Sequence, residues 1–241
     1  ETDRAGVLKR MQSDYECFVP QDLKYLKFNI DEEFQNLINR AYLLLGRLDG
    51  MATTLPDINL FVSMYVQKEA VISSQIEGTQ ASLVDVLQKD RKNEKIKDTE
   101  EIVNYIKATN YAFKKLEELP LCMRLIKETH SILLSGVRGN EKSPGEFRKS
   151  QNWIGYAGCK LNTASFVPPA PGEMEKSLND LEKYIHEDNF IPNLIKIALI
   201  HYQFETIHPF LDGNGRMGRL LIVLFLKERG LIEYPVLYLS Y

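Results

Sequence analysis

Two stretches near the end of the chain constrain its fold more than anything else in it. "IPNLIKIALIHYQFETIH" (191–208) is apolar nearly all round at helical spacing, and "RLLIVLFLKERG" (219–230) runs through seven consecutive apolar residues. A helix without a polar face has to be buried. Lys227, Arg229 and then Gly230 give the second stretch a basic last turn and a glycine stop. Helical signals dominate the rest of the chain as well, so the fold class expected is mainly α.

Those signals run along the chain. "DEEFQNLINRAYLLLGRLDG" (31–50) has Phe34, Leu37, Ile38, Ala41, Tyr42 and Leu45 at helical spacing and ends at Gly50. "PDINLFVSMYVQKEAVISSQIEG" (56–78) opens on Pro56 and Asp57 and stops at Gly78. A short helix is expected around "SLVDVLQ" (82–88), then a solvated charged loop, "KDRKNEKIKD" (89–98). "TEEIVNYIKATNYAFKKLEEL" ends before Pro120, "MRLIKETHSILLSG" stops at Gly136, and "EMEKSLNDLEKYIHE" (173–187) follows. The first thirty residues read as an irregular, extended arm. The Gly-, Pro-, Ser- and Asn-rich stretch 137–172 breaks the helical pattern, and "NWIGYAGCKLNTASFVP" within it reads as a hairpin. A loop that long in a helical domain is usually functional or disordered.

Composition narrows the function classes. The chain has 241 residues, is 44% hydrophobic and carries a net charge of −3. It can bury a core, and its scattered lysines and arginines leave no electrostatic footprint for nucleic acid. No apolar run is long enough to span a bilayer, and no signal-peptide pattern opens the chain. Cys17, Cys122 and Cys159 lack metal or redox spacing, which suits a reducing, cytoplasmic compartment. Position 1 is Glu, and the chain stops in "VLYLSY"; it reads as a trimmed piece, with room for a further C-terminal domain.

Between the two buried helices lies "HPFLDGNGRMGR", His208 to Arg219. Pro209 brings the first helix to its end, and the second opens at Gly215 or Arg216. A helix N-terminus offers unpaired N–H groups and partial positive charge. Gly213 and Gly215 allow close backbone approach, so the turn is suited to phosphate. Arg216 and Arg219, three apart, can point to one side. Asp212 suits Mg²⁺, which favours one or two carboxylates plus substrate phosphates. His208 is placed as a general base. Blander readings exist for each residue alone, such as a helix-capping histidine or surface arginines. No Walker loop is present. A rival constellation, His201, Glu205 and His208 on one helix face, lacks the second ExxH that a di-metal bundle requires.

The same twelve residues resemble the Fic-family signature HxFx(D/E)GNGRxxR at every fixed position. "GEFRKSQNWIG", "FVPPAP" and "PVLYLSY" resemble its flanks, so the likeness covers about 120–241. The part before it resembles the helical region that precedes many Fic domains. The resemblance implies an arm at 1–30, a helical N-terminal domain at 31–118 and a Fic domain at 119–241 with a β-hairpin flap. It implies a protein adenylyltransferase moving AMP from ATP to a Ser, Thr or Tyr hydroxyl of an unidentified target protein, with self-modification expected. By position, His208 would be the base and Asp212 the Mg²⁺ ligand. Gly213, Asn214, Gly215, Arg216, Met217, Gly218 and Arg219 would hold the phosphates, Phe210 would anchor the loop, and Gly155 and Tyr156 would belong to the flap.

"SSQIEG" matches the family's inhibitory pattern (S/T)xxxE(G/N) at Ser73, Glu77 and Gly78. The carboxylate of Glu77 would take the Arg219 guanidinium that the γ-phosphate needs. Other outcomes stay open: transfer of another phosphate-linked group, removal of AMP with Glu77 orienting water, or a non-enzymatic nucleotide sensor. A homo-oligomer is within what the resemblance implies. The target protein and the nucleotide preference are not readable from the residues.

Overall fold

The structure is a computed structural model, and it describes residues 5–11, 15–27, 29–80, 82, 95–156, 158–237 and 239–240. The helix expected at 82–88 lies outside the described residues, apart from Ser82. Among the described residues, seven α-helices build the fold: α1 (Glu32–Thr53), α2 (Ile58–Ile76), α3 (Lys95–Lys115), α4 (Met123–Leu133), α5 (Pro171–His186), α6 (Asn193–Ile207) and α7 (Asn214–Glu228).

Local chemistry sets most of their ends. Asp31 caps α1 by accepting from Phe34 N at 2.8 Å, with Glu32 and Glu33 in the first turn favouring the positive end of the helix dipole. Asp57 does the same for α2 through Leu60 N at 3.0 Å. α5 opens on Pro171, whose missing N–H costs nothing at that position. Gly50 does not stop α1, which runs to Thr53. Helix stops by glycine need the left-handed conformation, and Gly50 stays in the helix. Residues 95–98, expected as loop, form the first turn of α3 instead.

α6 and α7 pack against each other, and α5 covers α6. α7 also meets α2, α3 and α4. Ile200, Phe204 and Ile207 of α6 and Leu221, Leu224 and Phe225 of α7 have no exposed surface, and one core joins them to Ile102, Leu125, Ile126 and Leu133. This meets the expectation of two central helices. Among the described residues no helix is long and apolar enough to cross a membrane.

The β structure is not where the sequence pointed. The antiparallel pair is β1 (Gly6–Arg10) with β2 (Glu16–Pro20), in the segment expected as an irregular arm. Val7 pairs with Val19 and Leu8 with Phe18. The hairpin expected at 152–167 makes a single bridge, Ile154 to Phe166. Gly155 and Gly158 and a 3₁₀ turn at Leu161–Thr163 interrupt that segment, so no ladder propagates. The two regions meet: Phe18 N donates to Val167 O at 2.9 Å, and the Phe18 and Phe166 rings lie 5.9 Å apart.

The burial pattern gives a stability prediction. Leu224→Ala, at a position with no exposed surface, is expected to cost about 2–5 kcal/mol. Leu43→Ala, on the exposed face of α1, is expected to change stability by less than about 0.5 kcal/mol. Urea unfolding of both variants checks the contrast.

Candidate active site

The α6–α7 joint begins with a strained residue. His208 closes α6 in the left-handed conformation (φ 50°, ψ 61°), one of two non-glycine residues with positive φ among the described residues. Its amide still donates to Phe204 O at 2.9 Å. Its ring Nδ1 lies 3.3 Å from Glu205 O. A carbonyl only accepts, so Nδ1 carries the hydrogen and the neutral ring keeps its lone pair on Nε2. Burial holds His208 below the ordinary histidine range, and the Arg148 charge pushes the same way. The result is a neutral imidazole near pH 7, which is the state a base needs.

Phe210 anchors the loop. It is fully buried, stacks face to face on His130 with ring centroids 3.6 Å apart, and touches Phe147 and Phe204. The Asn214 side chain closes the turn, accepting from Phe210 N at 2.9 Å and donating to Phe210 O at 2.8 Å. His130 braces the same turn from below. Its Nδ1 accepts from Gly145 N at 2.9 Å, so its Nε2 donates to Asp212 O at 2.9 Å. Burial pushes His130 down to about 4, so this brace stays neutral at physiological pH.

α7 starts at Asn214 with Gly213 (φ 74°) as its N-cap, one residue earlier than expected. A side chain on Gly213 would also press on His130 at 3.2 Å. The first intrahelical bond is Met217 N to Gly213 O, so the amides of Asn214, Gly215 and Arg216 face out of the helix end. Asp212 stands beside them. Its Oδ1 accepts from Gly213 N at 2.6 Å, and its side chain is one-third exposed.

Arg216 and Arg219 do not point to one side. The Arg216 guanidinium is fully buried, 3.4 Å from Glu101 and 3.7 Å from Asp212. What it offers the open helix end is its backbone N–H. Glu101 in turn accepts from Thr79 Oγ1 at 2.7 Å and faces Arg138 at 3.5 Å. Met217 is fully buried in the core.

Arg219 reaches toward α2. Its Nε donates to Ser73 Oγ, and one terminal nitrogen donates to both Ser73 O and Glu77 Oε1, each at 2.8 Å. Glu77 is thus brought onto Arg219, as expected, and Ser73 binds the same guanidinium, a contact the sequence pattern did not give. Gly78 (φ 94°) turns the chain after α2, and Arg138 fixes Glu77 O at 2.9 Å. Glu77 Oε1 sits so close over Gly215 that a methyl there would come within 2.2 Å of it. The carboxylate therefore lies against Gly215 in the first turn of α7.

The flap residues are mixed. Tyr156 is two-thirds exposed, while Gly155 packs on Cys159, whose sulfur a side chain would meet at 2.5 Å. Sequence reasoning missed Arg148, Asn152, His130 and Glu101, which hold the loop from below. Arg148 and Asn152 lie within "GEFRKSQNWIG", but nothing in that stretch announces which backbone they bind.

The rival face of α6 is occupied by packing. His201 Nδ1 lies 3.0 Å from Gly218 O, and Glu205 lies against Gly218, where a methyl would meet its Oε1 at 2.0 Å. That oxygen is buried without a hydrogen-bond partner among the described residues. Burial pushes Glu205 up to about 7, with Arg219 opposing and Glu77 adding to the rise. A carboxyl raised from 4.5 to about 7 on folding stabilises the fold at acid pH and loses that contribution as pH rises to about 7. Glu205→Gln is therefore expected to gain on the parent by on the order of 2–3 kcal/mol between pH 5 and 7.5. Urea midpoints measured across that range check it.

Comparison with known proteins matches both halves of this arrangement. Residues 35–114 match the Fic/DOC family N-terminal model, and residues 120–226 match the Fic/DOC family model. The chain is 33% identical over 122 residues to the protein adenylyltransferase Fic of Drosophila grimshawi, and 35% identical over 117 residues to that of Aedes aegypti. These segments are 50% and 48% of this chain but 22% and 21% of the relatives, so the chain matches about a fifth of their length. A Fic family protein from Desulfovibrio desulfuricans G20 superposes with a TM-score of 0.63 at 24% identity, over 83% of this chain and 59% of that one. A Fic domain containing signaling protein from Bacteroides thetaiotaomicron superposes with a TM-score of 0.66 at 22% identity, over 78% and 73% of the two chains. The chain belongs to the Fic/DOC family, with the family's N-terminal region preceding its core domain.

Proposed function

We propose that the chain is a protein adenylyltransferase, held back by Glu77, that moves AMP from ATP to a hydroxyl of a target protein. The observation that carries this reading is the joint itself. A neutral histidine, a carboxylate and an open helix N-terminus stand within seven residues, with one arginine reaching out beside them.

The phosphates of ATP meet the amides of Asn214, Gly215 and Arg216 at the positive end of α7. Arg219, once free of Glu77, forks onto the outermost phosphate. Asp212 fits Mg²⁺: it is a single, partly exposed carboxylate, and Mg²⁺ accepts one carboxylate when phosphate oxygens supply other ligands. Held by Asp212, such an ion would supply positive charge to offset the charge developing on the pyrophosphate. His208 Nε2 takes the proton as a Ser, Thr or Tyr oxygen attacks the α-phosphorus, and the bond to the β-phosphate oxygen breaks. AMP is left on the target and pyrophosphate departs.

Glu77 acts on the same geometry. While it holds Arg219 and covers Gly215, the γ-phosphate loses its guanidinium and faces a second negative charge. A misplacement of about 1 Å at the reacting centre costs on the order of a hundredfold in rate. The restraint is therefore on alignment of ATP rather than on its access.

Glu77→Gly is expected to raise self-labelling with α-³²P-ATP by at least about tenfold; equal labelling of parent and variant overturns the restraint. In the Glu77→Gly background, His208→Ala is expected to lower transfer by about 10²–10⁴-fold while ATP affinity by calorimetry stays within about threefold. Transfer persisting without His208 removes it as the base. Mass spectrometry of the labelled protein identifies the transferred group.

A further inference from the structure

Arg148 is a buried cation without a carboxylate partner among the described residues. The residue is 2% exposed, and among the described residues its guanidinium donates only to main-chain carbonyls: His208 O at 2.9 Å, Ile207 O at 3.3 Å, Ser150 O at 3.2 Å and Pro169 O at 2.5 Å. Its own amide donates to Pro209 O at 2.9 Å. Burying an arginine in this way is costly, and burial pushes Arg148 down to about 10. The carbonyls show what offsets the cost. Two belong to the C-terminal end of α6, where unpaired oxygens and the negative end of the helix dipole favour a cation. The other two lie at the outgoing and returning roots of the flap.

The end of α6 also needs holding. His208 is left-handed without being glycine, a conformation that persists only where the surroundings over-determine it. Its carbonyl accepts from Arg148 and, at 3.2 Å, from Asn152 Nδ2, which also donates to Phe210 O at 3.0 Å.

We propose that Arg148 is a positioning residue: bonded to the last carbonyls of α6 and to both roots of the flap, it holds the His208 ring in place and ties that ring to the flap. The inference rests on the reading of His208 as the base. Its consequence is a coupling between the element that would carry the target segment and the group that would deprotonate it. Arg148 also places a positive charge near the His208 ring, which favours its neutral form. The carbonyl of Glu205 on α6, Glu77 at the end of α2 and Asp212 in the loop act the other way, and the Glu205 carboxylate lies 4.0 Å from Nδ1.

Geometry and charge separate in two substitutions, both made in the Glu77→Gly background. Arg148→Lys keeps the charge but cannot fork onto four carbonyls. It is expected to lower the maximal self-labelling rate by about 30-fold or more, with the half-saturating ATP concentration within about threefold and the acid limb of the pH profile unmoved. Arg148→Gln loses the charge as well, so the acid limb is expected to move to higher pH. The chain has four histidines, so NMR titration of the His208 ring, assigned with His208→Ala, follows the same shift without ATP. The inference is overturned if Arg148→Lys labels at the parent rate, or if Arg148→Gln leaves the His208 titration in place. If both variants lose the cooperative thermal transition, Asn152→Ala decides. A several-fold rate loss with an unmoved acid limb supports the proposal, and the parent rate overturns it. If the Glu77→Gly parent itself transfers nothing, the transferase reading fails, and the ring titration still decides the role of Arg148.

Discussion

Everything in this molecule turns on a six-residue reversal, 208–213, that must join two helices with no polar face. α6 and α7 lie against each other in the core, so the link between them has no room to be long. It is made rigid by one aromatic side chain driven inward and one amide side chain that imitates backbone. Phe210 stacks on His130, and Asn214 satisfies both main-chain groups of Phe210. With those two fixed, His208 is delivered at one helix end and three unpaired amides at the other. The polar groups are not decoration on an apolar fold. They are what two buried helices present at their facing ends when connected this tightly.

The N-terminal half then takes hold of that reversal. α2 brings Ser73 and Glu77 onto Arg219, and Arg138 pins the Glu77 main chain. A second linkage runs beneath it, from Thr79 through Glu101 to the buried Arg216. Two arginines three residues apart thus serve different ends. Arg216 holds the halves together from inside, and Arg219 is bonded to the Glu77 carboxylate that, on the proposed reading, would compete with the γ-phosphate for it. Gly215 makes the contact sterically allowed, since any side chain there would meet the Glu77 carboxylate. On the proposed reading, the motif glycine would serve the restraint as directly as phosphate binding.

Periodicity made the helices legible, because a 3.6-residue repeat of apolar side chains is a local property. The central place of α6 and α7 followed from their lack of a polar face. The 208–219 stretch was legible as a set of residue types, and Glu77 as a partner of Arg219 only through the family resemblance. What stayed hidden depended on who meets whom across the chain. Nothing local in "GEFRKSQN" says that Arg148 binds carbonyls sixty residues away, or that His130 lies under Phe210. The two directions of Arg216 and Arg219 were equally hidden, since spacing places both on one turn but burial decides which turns inward. The strands of β1 and β2 are five residues each and carry charges, so they read as an arm. The flap reads as a hairpin because its β-forming residues outweigh, on paper, the glycines that break its ladder.

In the proposed mechanism, Glu77 and the γ-phosphate of ATP compete for the Arg219 guanidinium, and the outcome sets where the α-phosphorus lies. Crystal structures of the parent chain and of Glu77→Gly, each with ATP and Mg²⁺, test it most directly. In the variant, the account predicts Arg219 on the γ-phosphate and the α-phosphorus facing the target side of His208. In the parent, it predicts Arg219 still on Glu77 and the α-phosphorus displaced by about 1 Å or more. The same phosphate positions in both structures would contradict it.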